Sequence, residues 1–126
     1  MPGVPAFILR RLYVKGSLHN VSEGWEFTLR NSLGSGYAKG LVPLRVDESL
    51  EIPMTQTSFV NPKDDSIVTF DQVNENNTFG LQMNREIVIT VTGEQLSLGS
   101  HRIDFACIVP GLGQIGFDFA DEIESV

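Results

Sequence analysis

Residues 109–119 read VPGLGQIGFDF, and Gly111, Gly113 and Gly116 spell G-x-G-x-x-G within them. At the mouth of a helix that spacing cradles a dinucleotide pyrophosphate, because glycines allow close approach and free helix N–H groups face the phosphates. The chemistry needs a strand before the glycines, a helix after them and an acidic residue about 20 positions further on. After Gly116 the chain reads FDFADEIESV, which alternates like a strand, and the acidic position would fall past residue 126. The spacing therefore reads as a glycine-rich hairpin, with glycine supplying positive φ. No cofactor is expected.

The other chemistry-bearing residues are sparse. His19 and His101 are the two histidines, placed on separate predicted strands. His101 follows the Gly99-Ser100 turn, where an imidazole commonly bonds turn backbone; it is the one candidate for acid–base work, and only beside a carboxylate. No G-x-S-x-G elbow occurs, and Cys107 falls mid-strand on an apolar face, the setting of a packed rather than a reactive thiol. Asp118, Asp121, Glu122 and Glu124 cluster near the C-terminus, with Asp64, Asp65 and Asp71 in central loops. They lack the D-x-[DN]-x-[DN]-G spacing of a calcium loop, so an acidic solvated tail is expected and no metal site. Catalytic, cofactor and metal residues are accordingly set at none, with His101 in reserve.

Aromatic residues are eight Phe, two Tyr and one Trp. Most Phe fall at inward positions and read as core. Trp25 at a strand start and Tyr37 in a glycine-rich turn are the candidates for a ligand surface, for instance one that stacks a sugar, although Trp25 shares parity with Phe27 and Leu29. Phe7, Ile8 and Leu9 precede the first clear strand and form a candidate interface arm.

The chain that must position these groups has 126 residues, enough for one core, so residues 1–126 are read as one domain. Its net charge of −7 and pI near 4.6 argue against nucleic acid or an anionic membrane as partner. One cysteine permits no internal disulfide. The apolar run Val4–Leu9 is broken by Pro5 and followed, not preceded, by Arg10-Arg11. It is not a secretory signal, and a cytoplasmic location is expected.

Period-2 patterning runs throughout. Leu12–Leu18 and GWEFTLRNS (24–32) read as strands of a hairpin joined by HNVSEG. Short strands follow at 41–46, 50–52, 55–60 and 66–70, with DQVNENN as a long polar loop. REIVITVTGE carries the strongest strand signal, with Ile87, Ile89 and Val91 on one face. His101–Val109 and Ile115–Phe119 close the chain. About eight to ten short strands with turns between them predict an all-β fold, an antiparallel β-sandwich or flattened barrel.

The phrases LYVKGSLHN, GWEFTLRNSL, GLVPLRVD and LSLGSHRIDF, with their G-x-x-F and L-x-x-G-x-H elements, resemble the small β subunit of C-glycoside deglycosidases. That resemblance implies a β-sandwich accessory subunit of a heteromeric carbon–carbon lyase. Its partner would be a larger metal-dependent barrel-type subunit that carries the catalytic groups. The alternative expectation is a stand-alone binding or homo-oligomerisation module, for carbohydrate if Trp25 and Tyr37 form a surface. Whether the chain is itself an enzyme stays open at this point.

Overall fold

The computed structural model describes residues 4–124. In chain order a short helix α1 (Ala6–Leu9) and a 3-10 turn at Arg10–Leu12 lead into β1 (His19–Val21), β2 (Gly24–Arg30), β3 (Gly36–Ala38) and β4 (Gly40–Leu41). Next come β5 (Arg45–Val46), β6 (Leu50–Glu51), β7 (Thr57–Val60) and β8 (Ile67–Thr69). β9 (Phe79–Leu81), β10 (Glu86–Thr92), β11 (Gly99–Val109) and β12 (Gly113–Ile123) complete the order. The fold is all-β and antiparallel, as the alternation predicts.

One sheet runs β1-β2-β10-β7-β8 and a second runs β12-β11-β5-β6, with β4 also paired to β11; β3 and β9 form a separate ribbon. Register explains the core. Ile87, Ile89 and Val91 of β10 stand opposite Leu29, Phe27 and Trp25 of β2. A period of two puts all six on one face, and all six are buried. On the second sheet Ile103 and Phe105 stand opposite Phe119 and Phe117. The inner faces meet through aromatic contacts: Phe27 to Phe119 at 5.1 Å between ring centres and Phe70 to Phe105 at 6.4 Å. Phe79 of the ribbon closes one side, packed edge-on to Phe59 at 4.9 Å.

Several expected elements are corrected. Leu12–Leu18 is not a strand. The chain makes a 3-10 turn, meets β2 at a bridge from Tyr13 to Leu29 and through bonds of Val14 and Ser17 to Thr28, and turns again at Gly16 (φ +86°). The hairpin partner of β2 is His19–Val21, which lies inside what reads as the connecting loop. The apolar arm Phe7–Leu9 is a single helical turn. The last strand continues well past Phe119 to Ile123, so Asp118, Asp121 and Glu122 belong to β12 and not to a solvated tail. An aspartate at the inward-parity position 121 disguises this, because its carboxylate is satisfied from elsewhere in the fold.

The G-x-G-x-x-G segment is a hairpin, as its context requires. Gly111 and Gly113 take φ of +82° and +78° in the β11–β12 turn. Gly116 lies within β12, where a Cβ would come within 2.6 Å of the Phe105 carbonyl oxygen and 2.8 Å of the Ala106 Cβ. Its glycine serves close strand packing, not a phosphate.

Candidate functional site: an apolar cavity at one end of β11

His101 sits at the start of β11, with its side chain 10 % exposed. Its Nδ1 lies 2.7 Å from Asp47 Oδ2, and its Nε2 lies 2.8 Å from the Ser97 carbonyl and 3.2 Å from Ser97 Oγ. Ser97, His101 and Asp47 thus form the line of groups that a hydrolase would use. The bonding denies them that use. A carboxylate and a carbonyl both accept, so both ring nitrogens must donate, and no lone pair remains to take a proton from Ser97. Burial disfavours the imidazolium, but the bonds to Asp47 and to the Ser97 carbonyl outweigh it and raise the His101 pKa. Asp47 is held below the usual carboxylate range first by the Arg102 backbone N–H and then by His101. The group is a clasp joining the 93–98 loop, the β5–β6 turn and β11. The same loop is tied to β1 on its other side, through Asn20 to Leu96 at 2.8 Å and 3.0 Å.

His19 is likewise engaged, with Nδ1 2.7 Å from the Ser17 carbonyl and Nε2 2.9 Å from Glu26. Two of the C-terminal acids, Asp118 and Asp121, are structural. Asp118 pairs with Arg10 at 2.8 Å and with Arg102, and these bonds lower its pKa against the effect of burial. Asp121 accepts from the Tyr13 hydroxyl and the Gly16 N–H, both at 2.7 Å. Burial and the bond to Asp121 push the Tyr13 hydroxyl up to about 12. Among the described residues no group of three or more His, Cys, Asp or Glu is placed to hold a metal ion.

At the far end of β11 the character reverses. Phe105, Cys107 and Val109 there form one wall of a cavity of about 380 Å³. Leu29 of β2, Ala38 of β3, Leu81 of β9, Ile115 of β12 and Leu9 of α1 supply the others. Leu33, Tyr37 and Leu112 line its partly exposed rim, Tyr37 at 53 % exposure. Asn31 is the buried polar residue of the lining, and its amide is spent locally. It donates to the Gly34 and Leu81 carbonyls and accepts from the Leu33 and Gly34 N–H groups. Burial pushes the Cys107 thiol up to about 11, so it stays protonated at neutral pH. The size falls within the roughly 300–1,000 Å³ usual for small-molecule sites, and apolar lining is usual there too.

The residues singled out in the sequence divide accordingly. Trp25 is 1 % exposed and stacks near Phe27, so the expected joint surface of Trp25 and Tyr37 does not form; Tyr37 alone is exposed. Leu9 is core and a cavity wall, whereas Phe7 is 68 % exposed. Sequence reasoning missed Asp47 and Ser97 as partners of His101, and missed the cavity. Its visible signal was Leu33 and Leu112, two apolar residues set in glycine-rich turns where polar residues are usual. A second cleft of about 440 Å³ adjoins the ribbon, with a mixed lining in which Asn61, Lys63, Asn76, Asn77 and Gln82 stand beside Tyr37 and Phe59.

Among the described residues no helix is long and apolar enough to cross a membrane. In comparison with known proteins, a 52-residue stretch is 40 % identical to the GTPase Obg of Phytoplasma australiense. That stretch covers 41 % of this chain and 12 % of the GTPase, too little for the activity of the larger protein to follow. Residues 8–124 match the hydroxymethylglutaryl-CoA reductase N-terminal domain. This overturns the resemblance to the β subunit of C-glycoside deglycosidases, and with it the role of accessory subunit in a carbon–carbon lyase. Short strand-and-turn phrases such as G-x-x-F suit many sandwiches, whereas the match runs along nearly the whole chain. The chain belongs to the hydroxymethylglutaryl-CoA reductase N-terminal domain family.

Proposed function

We propose that this chain is a ligand-binding domain of the hydroxymethylglutaryl-CoA reductase family, one that holds an apolar small molecule between its sheets. The observation that carries the reading is the cavity lined by Leu29, Leu81, Phe105 and Ile115, in which the one buried amide, Asn31, has its bonds already made. Such a lining rewards burial of aliphatic surface at about 25 cal/mol per Å² and offers its interior no polar anchor. The reduction to which the family name refers is not assigned to these residues. His101 has both nitrogens committed, and Cys107 is a protonated thiol at neutral pH.

The test uses decanol as the apolar probe. Bound at ten times its Kd, it stabilises the fold by about 1.4 kcal/mol, read as a higher urea midpoint. It also slows labelling of Cys107, which lies on the cavity wall. Neither effect appearing at saturating decanol would overturn the reading.

A further inference from the structure

The apolar cavity and the polar cleft share walls: Gly36, Tyr37 and Leu81 line both. Tyr37, 53 % exposed, stands at the rim of both, so a molecule that reached from the first to the second would pass its ring. We propose that the two hollows are one site for a single-chain amphiphile with an anionic head, its aliphatic tail in the cavity and its head in the cleft. This rests on the reading of the cavity as a ligand site.

The head is assigned from the cleft's charge and bonding. In a chain of net charge −7, with 16 acidic residues, no acid among the described residues lines the cleft, and Lys63 is the one charged residue of that described lining. The acids nearest in sequence are turned to other work. Asp64 accepts from the Ser66 N–H and hydroxyl, and Glu75 lies 3.8 Å from Lys39. Asp65 occupies the same turn outside the lining. Asn61 spends its carbonyl oxygen on the Lys63 N–H, which leaves its amide N–H₂ to donate. Asn76 is held through its backbone N–H, and its side chain makes no bond among the described residues. The Lys63 ammonium supplies a charge that no lining acid offsets, and the Asn61 and Asn76 amides add donors beside it; an ionised carboxylate or its like is the head that charge selects. The tail is assigned from the apolar lining, which gives a charged group no partner.

The experiment measures protection of Cys107 from a thiol reagent by decanoate and by decanol, which share a tail and differ in head, in the wild-type chain and in Lys63→Glu. Lys63 lies in an exposed turn, so the variant keeps the fold, checked by its urea midpoint. Decanoate is expected to half-saturate at about five-fold lower concentration than decanol, the range of one partly exposed ion pair with its hydrogen bonds. Lys63→Glu should abolish that preference and leave decanol unchanged. Equal half-saturation in the wild type, or a decanoate preference that survives Lys63→Glu, would overturn the head assignment and leave the apolar site standing. Protection by neither compound would overturn both.

Discussion

The two ends of β11 are built on opposite terms. About 20 Å of strand separates His101 from Cys107, at roughly 3.3 Å per residue. At the His101 end the bonding groups are matched: imidazole to carboxylate and carbonyl, the Asp47 carboxylate also to the Arg102 N–H at 2.9 Å. At the Cys107 end the side chains are apolar and line a hollow of about 380 Å³. A satisfied polar cluster resembles an active site in composition and behaves as a clamp. An apolar hollow has no motif and is the better candidate for function. What distinguishes a site is spare capacity, either a bond still to be made or a surface still to be covered.

The strongest way to break this contrast is to enlarge the cavity. Phe105 is 3 % exposed and touches the rings of Phe70, Phe79 and Phe117. Phe105→Ala should cost about 3–5 kcal/mol in urea unfolding, and decanol should restore more stability to it than to the wild type. If decanol does nothing for the variant, the cavity is not what the probe senses. Next in size is Tyr13→Phe, which removes the hydroxyl bonded to Asp121 and to the Leu18 N–H. A loss of about 1–2 kcal/mol is expected, with no change in decanol affinity, because this staple lies outside the cavity lining.

The clasp sharpens the comparison through pH. The folded-state pKa of His101 is raised, so its contribution is fully present below the unfolded value of about 6.5 and is lost as pH rises through the higher folded value. Asp47, Asp118 and Asp121 are depressed, so their contributions are present above about 3.9 and are lost as pH falls through their lower folded values. Unfolding midpoints against pH should show both losses. His101→Gln should remove the alkaline one and cost about 1 kcal/mol at pH 6, a figure reduced for the half-exposed Asp47. A wild-type midpoint flat through the neutral range would mean that the clasp carries no charge. Smallest in stability is Leu112→Ser at the cavity rim, 38 % exposed. It should change the midpoint by no more than about 0.5 kcal/mol yet weaken decanol binding, the reverse of Tyr13→Phe.

Much of the fold is legible because the period-2 signal is local. GWEFTLR and EIVITVT declare their faces residue by residue, and the structure pairs them in that register. The signal fails where a polar residue holds an inward position. Asp121 reads as the end of a strand until Tyr13 and Gly16, more than 100 residues away, are seen to satisfy it. It fails again at His19–Val21, whose strand character comes from pairing with β2 and not from its own alternation. For the site, His101 was visible as a turn histidine, but its partners were not. Asp47 is 54 positions away, and only the β5–β11 pairing brings it alongside.

By itself the sequence determined the fold class, the inward faces of the long strands, and that the glycines at 111–116 turn a hairpin. Each rests on side-chain alternation or on backbone freedom, both local properties of the chain. The tertiary structure alone decided that Ser97, His101 and Asp47 lock one another, that Trp25 and Tyr37 part, and that Tyr37 stands at the rim of an apolar hollow and of a second one beside Lys63. Commitment of a hydrogen bond and the volume left between side chains depend on residues distant in sequence, and no local pattern encodes either.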